Sequence, residues 1–229
     1  MKKIIMLRHG QSQWNLENLF TGWTDVPLSY LGRKEATQAG EKIKAAGLAP
    51  SFFFTSYLRR AIHTLQIAAE KMELDYIPVI KDWHLNERHY GALQGLNKAE
   101  TAKKYGAEQV HIWRRSYDVR PPQLTPHDPR FPGNDPRYAT LTADELTLGE
   151  SLKDTIDRVR PCWEEIIVPT INQGHDTILI AAHGNSLRAL AMMLLHLTPD
   201  QVVSLEIPTG SPWLFETDDR LTVLSNHYL

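Results

Sequence analysis

Short apolar runs alternate with amphipathic helical patterns along most of this chain. Runs rich in β-branched and aromatic residues predict buried strands at 2–7, 51–56 and 177–182. Apolar residues at helical spacing predict helices at about 30–46, 57–73, 150–173 and 186–197. Strands that alternate with helices form a largely parallel sheet that is covered on both faces. We therefore predict an α/β fold with three layers, α/β/α, around a mostly parallel central sheet.

Two of the predicted strands end in the same way. The first is followed by Arg8, His9 and Gly10, and the strand at 177–182 is followed by His183 and Gly184. If these strands are parallel neighbours, both histidines emerge at the same edge of the sheet, where α/β proteins bind ligands. Because a guanidinium group keeps its charge, Arg8 beside His9 indicates a site for an anion such as phosphate.

Residues 117–149 interrupt the alternation of strands and helices. Six of the fourteen prolines fall in this segment, and a proline-rich segment of this length is usually a functional lid or a disordered linker. We predict a single domain over residues 1–229, with 117–149 as an insertion. The remaining pattern predicts two or three final strands, one of them an antiparallel edge strand, at about 203–207, 212–217 and 221–225.

Composition limits the possible partners. The net charge of −2 offers no overall basic field, so we expect neither nucleic acid nor membrane as a partner. No stretch approaches the ~18 apolar residues that a membrane span needs. A single cysteine, Cys162, excludes an internal disulfide and fits a reducing, cytoplasmic location. An anionic substrate would have to be bound by a local cluster of positive charge.

Two histidines at one sheet edge could be metal ligands, an acid–base pair, or a nucleophile with a stabilising partner. A metal site is disfavoured, since the sequence has no His-Glu-x-x-His motif and no cysteine pair, and arginine repels a cation. A catalytic triad is disfavoured because there is no Gly-x-Ser-x-Gly motif. A neutral imidazole can attack phosphorus and hold the phosphoryl group. The sequence therefore favours a nucleophilic histidine and no metal.

Paired arginines supply candidate phosphate ligands. Arg59 and Arg60 follow the second strand, and because adjacent side chains on a helix diverge by about 100°, we expect only one to face the site. Arg114 and Arg115 precede the proline-rich segment, where both can converge on an anion if a helix ends there.

The segment at 85–95 has neither helical nor strand periodicity, and it is dense in polar groups. Glu87 is the natural general acid or base in this segment. Tyr90 and, just beyond the segment, Lys98 are candidates for contacts with a substrate carboxylate or phosphate.

Seven motifs follow one another in order over nearly the whole chain. They are Leu7-Arg8-His9-Gly10 with Ser12-Gln13-Trp14-Asn15, Phe20-Thr21-Gly22-Trp23, Arg60-Ala61-Ile62-His63-Thr64, Leu85-Asn86-Glu87-Arg88-His89-Tyr90-Gly91, Trp113-Arg114-Arg115-Ser116-Tyr117-Asp118, Glu150-Ser151-Leu152-Lys153-Asp154-Thr155 and Ala182-His183-Gly184-Asn185-Ser186-Leu187-Arg188. As a set they closely resemble the 2,3-bisphosphoglycerate-dependent phosphoglycerate mutases of the histidine phosphatase superfamily.

The resemblance implies a role for each matched residue. His9 would be the phosphorylated histidine, Glu87 the proton donor or acceptor, and His183 the group that stabilises the transferring phosphoryl group. The phosphoryl site would also include Arg8, Ser12, Asn15, Arg60, Gly184 and Asn185. The rest of the substrate would be held by Thr21, Gly22, Tyr90, Lys98, Arg114 and Arg115.

The resemblance also implies a phosphoglycerate mutase-like fold and an isomerase reaction. That reaction interconverts 3-phosphoglycerate and 2-phosphoglycerate in glycolysis and gluconeogenesis. 2,3-Bisphosphoglycerate would be the cofactor that primes the phosphohistidine, no metal would be needed, and the chain would form a homodimer or homotetramer.

The chain departs from the family pattern at three places. Gln11 stands where many mutases have glutamate, Arg120 interrupts the usual proline run, and the sequence ends at Leu229, where many members continue with a lysine-containing tail. We expect a phosphoenzyme that is more open to water, with measurable bisphosphoglycerate hydrolysis. The competing interpretations are a superfamily phosphatase acting on a bisphosphoglycerate or sugar bisphosphate, and a non-catalytic phosphate-binding scaffold.

Overall fold

Six strands form one mixed sheet at the centre of the molecule. The structure, a computed structural model, describes residues 1–229. The strands are β1 (Lys2–Arg8), β2 (Phe52–Thr55), β3 (Val79–Lys81), β4 (Thr177–Ala182), β5 (Pro212–Thr217) and β6 (Val223–Tyr228). Their order across the sheet is β3-β2-β4-β1-β5-β6. The first four in this order are parallel to one another, whereas β5 is antiparallel to both β1 and β6.

Helices cover both faces of this sheet. They are α1 (Gln13–Leu16), α2 (Tyr30–Ala45), α3 (Arg59–Met72), α4 (Lys98–Tyr105), α5 (Ala107–Arg115), α6 (Leu152–Pro161), α7 (Val168–Asn172), α8 (Gly184–Leu195) and α9 (Pro199–Ser204), with a π-helical stretch at Cys162–Ile167 between α6 and α7. None of them is both long enough and apolar enough to cross a membrane.

Alternate residues of β1 belong to two separate hydrophobic cores. Ile4 and Met6 pack in a core with side chains of α6 and α8. Ile5 and Leu7 pack in a core with side chains of α2 and α3. Because a strand buried on both faces needs apolar residues at every position, β1 and β4 lack the alternation of a half-exposed strand. The predicted α/β fold with a mostly parallel central sheet is confirmed.

The register of β1 and β4 brings the two histidines together. Arg8 pairs with Ala182, and the His9 N–H donates to the Ala182 carbonyl at 3.0 Å. The two strands are therefore parallel neighbours that end at the same edge, as predicted. Gly10 follows at the point where β1 meets α2, and a side chain there would overlap the Gly32 backbone.

Two sequence-based boundaries were wrong. Residues 199–204 form α9 rather than the start of a strand at 203–207, because Thr198 caps the helix by accepting from the Gln201 N–H and Pro199 is its first residue. The helix predicted at 150–173 is regular only to Pro161. Since prolines lack the N–H that a regular helix uses, Pro161 and Pro169 flank a wider π-helical turn.

The proline-rich segment 117–149 packs onto the loop that carries Glu87. The Ala92 N–H donates to the Pro122 carbonyl at 2.7 Å, and Asn86 Nδ2 donates to the Tyr138 hydroxyl at 2.8 Å. Tyr138 is buried with its ring 4.9 Å from that of Trp23. The segment contains two short 3₁₀ turns, Pro132–Asn134 and Pro136–Tyr138, and no strand.

Candidate active site

A polar pocket of about 110 Å³ lies at the carboxyl ends of the central strands. It is lined by Arg8, His9, Asn15, Thr21, Gly22, Arg60, Glu87, Tyr90, Lys98, Arg114, Arg115, Gly184, Asn185, Arg188 and Glu206. Thirteen of the fifteen predicted site residues are in this set. The other two are Ser12 and His183.

Ser12 lies beside the pocket rather than in its lining. Its side chain is fully buried and accepts from the Asn15 N–H at 3.1 Å, while Asn15 Oδ1 accepts from the Ser12 N–H at 3.0 Å. This reciprocal pair caps α1. The Ser12 hydroxyl therefore positions Asn15, and its contact with substrate stays a prediction.

His9 presents an unprotonated nitrogen to its neighbours. Nδ1 lies 2.7 Å from the Gly10 carbonyl, which can only accept, so Nδ1 carries the proton. Nε2 therefore has the lone pair, and it accepts from Arg60 Nε at 3.3 Å. Burial, together with the guanidinium groups of Arg60 and Arg8, holds the pKa of His9 well below its usual range. A neutral imidazole in this tautomer is suited to act as a nucleophile.

Arg60 connects His9 to the loop at 21–24. Its two terminal nitrogens donate to the carbonyls of Gly22 and Thr24 at 2.8 and 2.9 Å. Burial lowers the pKa of Arg60 to about 10, so the group remains charged at neutral pH. Arg59 turns away and pairs with Asp25 at the surface, which confirms that only one of the two arginines faces the site.

His183 packs against His9 with 5.0 Å between the ring centroids. Its Nε2 lies 2.7 Å from Ser56 Oγ, and that oxygen already accepts from the Leu58 N–H. Burial lowers the pKa of His183 further than the nearby charges of Arg60 and His9 do. One nitrogen of the neutral ring carries the proton, and when Nε2 accepts the Ser56 hydroxyl proton that nitrogen is Nδ1. Nδ1 is buried without a protein partner.

One oxygen of Glu87 is fully engaged and the other is free. Oε1 accepts from Arg88 N–H at 2.8 Å, from Asn185 N–H at 3.1 Å and from Asn185 Nδ2 at 2.9 Å. Asn185 lies in the first turn of α8, so the helix N-terminus fixes the carboxylate. Oε2 makes no hydrogen bond to the protein and is available for proton transfer at the pocket.

Arg158 fixes the loop that carries Glu87. It donates to the carbonyls of His84 and Glu87 at 2.5 and 3.2 Å and forms a buried ion pair with Glu150 at 2.6 Å. The backbone on either side of Glu87 is thus held by a charged group that faces away from the pocket.

A second group of cations comes from α4 and α5. Lys98 begins α4, and Arg114 and Arg115 end α5. Both arginines line the pocket, in agreement with the expectation that a helix end lets them converge. Burial, and then the charges of Arg114 and Arg8, lower the pKa of Lys98 to about 8.

Three residues near the site were missed at the sequence level. Arg188 donates to Asn185 Oδ1 at 3.1 Å. It lies three residues after Asn185 on the same helix face, and this position could have identified it as a site residue. Ser56 follows β2 directly, so its place at the sheet edge was also visible. Glu206 could not be identified in this way, because it lies in the segment predicted as a strand at 203–207.

The pocket carries a strong local excess of positive charge. Six of the lining residues are lysine or arginine and two are glutamate, in a chain whose net charge is −2. A small polar cavity with a surplus of four positive charges is suited to a small anion of high charge.

Gln11 lies outside this lining. Its Oε1 accepts from Ser29 Oγ at 2.8 Å, and its N–H donates to Glu35 Oε2 at 2.7 Å. The residue at this position therefore acts on the packing of α2 rather than on a bound ligand.

Solved structures of similar fold cover nearly the whole chain. A mycobacterial glucosyl-3-phosphoglycerate phosphatase is 24% identical, with a TM-score of 0.74 over 100% of this chain and 97% of that chain. A putative α-ribazole-5'-P phosphatase from Escherichia coli is 18% identical, with a TM-score of 0.71 over 100% and 96%. A Bacillus stearothermophilus protein, YhfR, is 22% identical, with a TM-score of 0.71 over 97% and 94%. At these identities the likeness shows the shared fold.

The family model for branch 1 of the histidine phosphatase superfamily matches residues 4–228. The match includes residues of all six strands and, at one edge of the sheet, the two histidines with Arg8 and Arg60. The chain belongs to the histidine phosphatase superfamily, branch 1.

Proposed function

We propose that this protein is a phosphoglycerate mutase that interconverts 3-phosphoglycerate and 2-phosphoglycerate through a phosphorylated His9. The observation that carries the proposal is the pocket itself. Arg8 and Arg60 lie with the histidines, and Lys98, Arg114 and Arg115 form a second group of cations. A substrate with two anionic groups can bind one of them at each group of cations.

The chemical step follows from the free atoms of the site. His9 Nε2 attacks phosphorus, so that an N–P bond forms while the P–O bond to the leaving oxygen breaks. With His9 loaded, a hydroxyl of 3-phosphoglycerate attacks the phosphorus, so that a P–O bond forms as the N–P bond breaks, and Glu87 Oε2 takes the hydroxyl proton. The bisphosphorylated glycerate so formed turns in the pocket, and His9 Nε2 then takes its other phosphoryl group while Glu87 returns the proton to the departing oxygen, which leaves 2-phosphoglycerate.

Charge on the transferring group is met by donors that are already in place. Arg8, Arg60 and the N-terminus of α8 direct positive charge at its oxygens. The Nδ1–H of His183, which has no protein partner, would donate to one of them. Phosphoryl transfer depends mainly on such positioning and charge.

The residues present fit 2,3-bisphosphoglycerate as the cofactor. This compound would supply the phosphoryl group that first loads His9. Its second phosphate and carboxylate would be held by Lys98, Arg114 and Arg115, and Tyr90 would close the side of the pocket.

A phosphatase is the second candidate function. Two of the similar solved structures named above are of phosphatases, and that favours hydrolysis of a phosphate ester. In that case water attacks the phosphorus on His9, the N–P bond breaks to release inorganic phosphate, and Glu87 takes the proton from the water. The second group of cations suits this candidate as well, because a bisphosphoglycerate or a sugar bisphosphate also carries a second anionic group.

Product analysis distinguishes the two candidates. The protein is incubated with 3-phosphoglycerate and a trace of 2,3-bisphosphoglycerate, and 2-phosphoglycerate and inorganic phosphate are measured together. The mutase proposal predicts 2-phosphoglycerate far in excess of phosphate. Phosphate in excess overturns it in favour of the phosphatase, and His9→Ala is expected to form neither product.

A further inference from the structure

Glu206 is the one acidic side chain in the pocket lining that the proposed chemistry does not use. Its Oε1 lies 2.7 Å from Arg115 Nη2, and its Oε2 lies 3.8 Å from Arg188 Nη2. These are the only two of the six pocket cations that are paired with a carboxylate within 4.0 Å.

The backbone around Glu206 is fixed although its side chain is exposed. Arg188 Nε donates to the Leu205 carbonyl at 2.7 Å, and Arg8 Nη1 donates to the Ile207 carbonyl at 2.8 Å. The Ile207 side chain is buried in the core. Two arginines of the pocket thus hold the residues on each side of Glu206, and the carboxylate, 69% exposed, extends over the pocket between them.

We propose that Glu206 is a specificity-determining residue that acts as an internal competing anion. Its carboxylate occupies Arg115 and Arg188 until the second anionic group of a ligand displaces it. The carboxylate therefore weakens the binding of doubly anionic ligands more than that of singly anionic ligands. This prevents the highly positive pocket from holding a bisphosphorylated ligand too tightly to release.

The inference rests on the proposed function only in taking the pocket as a site for phosphate-like anions. Glu206 contacts Arg115 and Arg188 and is not in contact with His9, so its removal is expected to change ligand selection without changing the nucleophile. Because Glu206 meets two arginines, the upper part of the range for an exposed ion pair, about 0.4–1 kcal/mol, applies, and the expected change in affinity is about two- to fivefold.

The test compares two ligands that cannot transfer a phosphoryl group, because phosphorus is bonded to carbon. Butane-1,4-diphosphonate has two anionic groups, with the spacing of a vicinal bisphosphate, and butylphosphonate has one. Dissociation constants are measured by calorimetry at fixed pH and ionic strength for the wild type, Glu206→Gln and Glu73→Gln. Glu73 is the matched control, since it is an exposed glutamate paired with Lys44 outside the pocket.

We expect Glu206→Gln to bind the diphosphonate about two- to fivefold more tightly, with a clearly smaller change for butylphosphonate and no change for either ligand in Glu73→Gln. Equal tightening of both ligands, weaker diphosphonate binding, or behaviour like the control would overturn the role of Glu206 while leaving the proposed function intact. If the wild type binds neither ligand, the proposed function fails, and the inference fails with it.

Discussion

Ser56 Oγ lies 2.7 Å from Nε2 of His183, although 127 positions separate the two residues in the chain. A hydroxyl that donates to Nε2 places the proton of the neutral ring on Nδ1. It leaves Nδ1–H as the donor for a transferring phosphoryl group, in a ring that packs against the nucleophile. Ser56, which directly follows β2, therefore positions the ring of His183, which directly follows β4.

Ser56→Ala is expected to slow phosphoryl transfer. Loss of the hydroxyl leaves His183 Nε2 buried without a partner, which costs about 1–3 kcal/mol and allows the proton to move to Nε2. We predict a fall in the rate of His9 phosphorylation of about ten- to a hundredfold. Stopped-flow measurement of the loading step gives the rate, and nitrogen NMR shifts of His183 give the tautomer.

The control for this variant is Ser204→Ala. Ser204 is an exposed serine whose hydroxyl bonds to the carbonyl one turn earlier in α9. It is expected to load His9 at the wild-type rate. An unchanged tautomer and rate in Ser56→Ala would contradict the positioning role of Ser56.

Ligand binding is expected to weaken above pH 8. The pKa of Lys98 is about 8 in the free protein, and a bound anion favours the charged form, so the pKa is higher in the complex. Affinity is therefore fully present below pH 8 and falls as pH rises through that value, by up to about tenfold per pH unit. Phosphate esters, with a second pKa of about 6, are already fully ionised there.

Titration of 3-phosphoglycerate into His9→Ala measures this dependence without phosphoryl transfer. Adding Lys98→Arg should flatten the dependence, because guanidinium keeps its charge throughout the range. Lys103→Arg, elsewhere on α4, is the control and should retain the wild-type slope. A slope that Lys98→Arg leaves unchanged would assign the effect to another group.

Removal of Arg158 is expected to destabilise the fold strongly. The Arg158–Glu150 pair is buried, with 7% and 4% of the side chains exposed, so Arg158→Met leaves an unpaired buried carboxylate. We predict a loss of about 3–5 kcal/mol in the free energy of unfolding, measured in urea. The control is Arg120→Met. Arg120 forms an ion pair of similar length, 2.7 Å, with Asp154, but its side chain is 56% exposed. This variant should cost at most about 1 kcal/mol. Comparable losses in the two variants would contradict the argument from burial.

Local sequence patterns predicted the sheet because β1 and β4 are buried on both faces and are apolar at nearly every position. The same patterns placed His9 and His183 correctly, since each directly follows its strand. The helix Pro199–Ser204 was not predicted, and its last two residues fell in the strand predicted at 203–207, although Thr198, Pro199 and Gln201 are residues typical of a helix N-terminus.

The parts of the site that the sequence could not predict are contacts between distant segments. Whether Ser56 or a solvent molecule meets His183 depends on the β2–β4 register, and the pairing of Glu206 with Arg115 depends on how α5 packs beside the segment at 205–207. Ser12 was assigned to the substrate from its motif, and the structure adds that its hydroxyl accepts from the Asn15 N–H and caps α1. Motifs identify the residues of a site, but hydrogen-bond partners decide their roles.

Intact-mass spectrometry after incubation with 2,3-bisphosphoglycerate tests most directly the claim that His9 carries the phosphoryl group. The wild type and His227→Ala, an exposed histidine on β6, should each gain the mass of one phosphoryl group, and the added mass should be lost in acid. His9→Ala should gain none. A phosphoryl group on His9→Ala, or none on the wild type, would contradict the account.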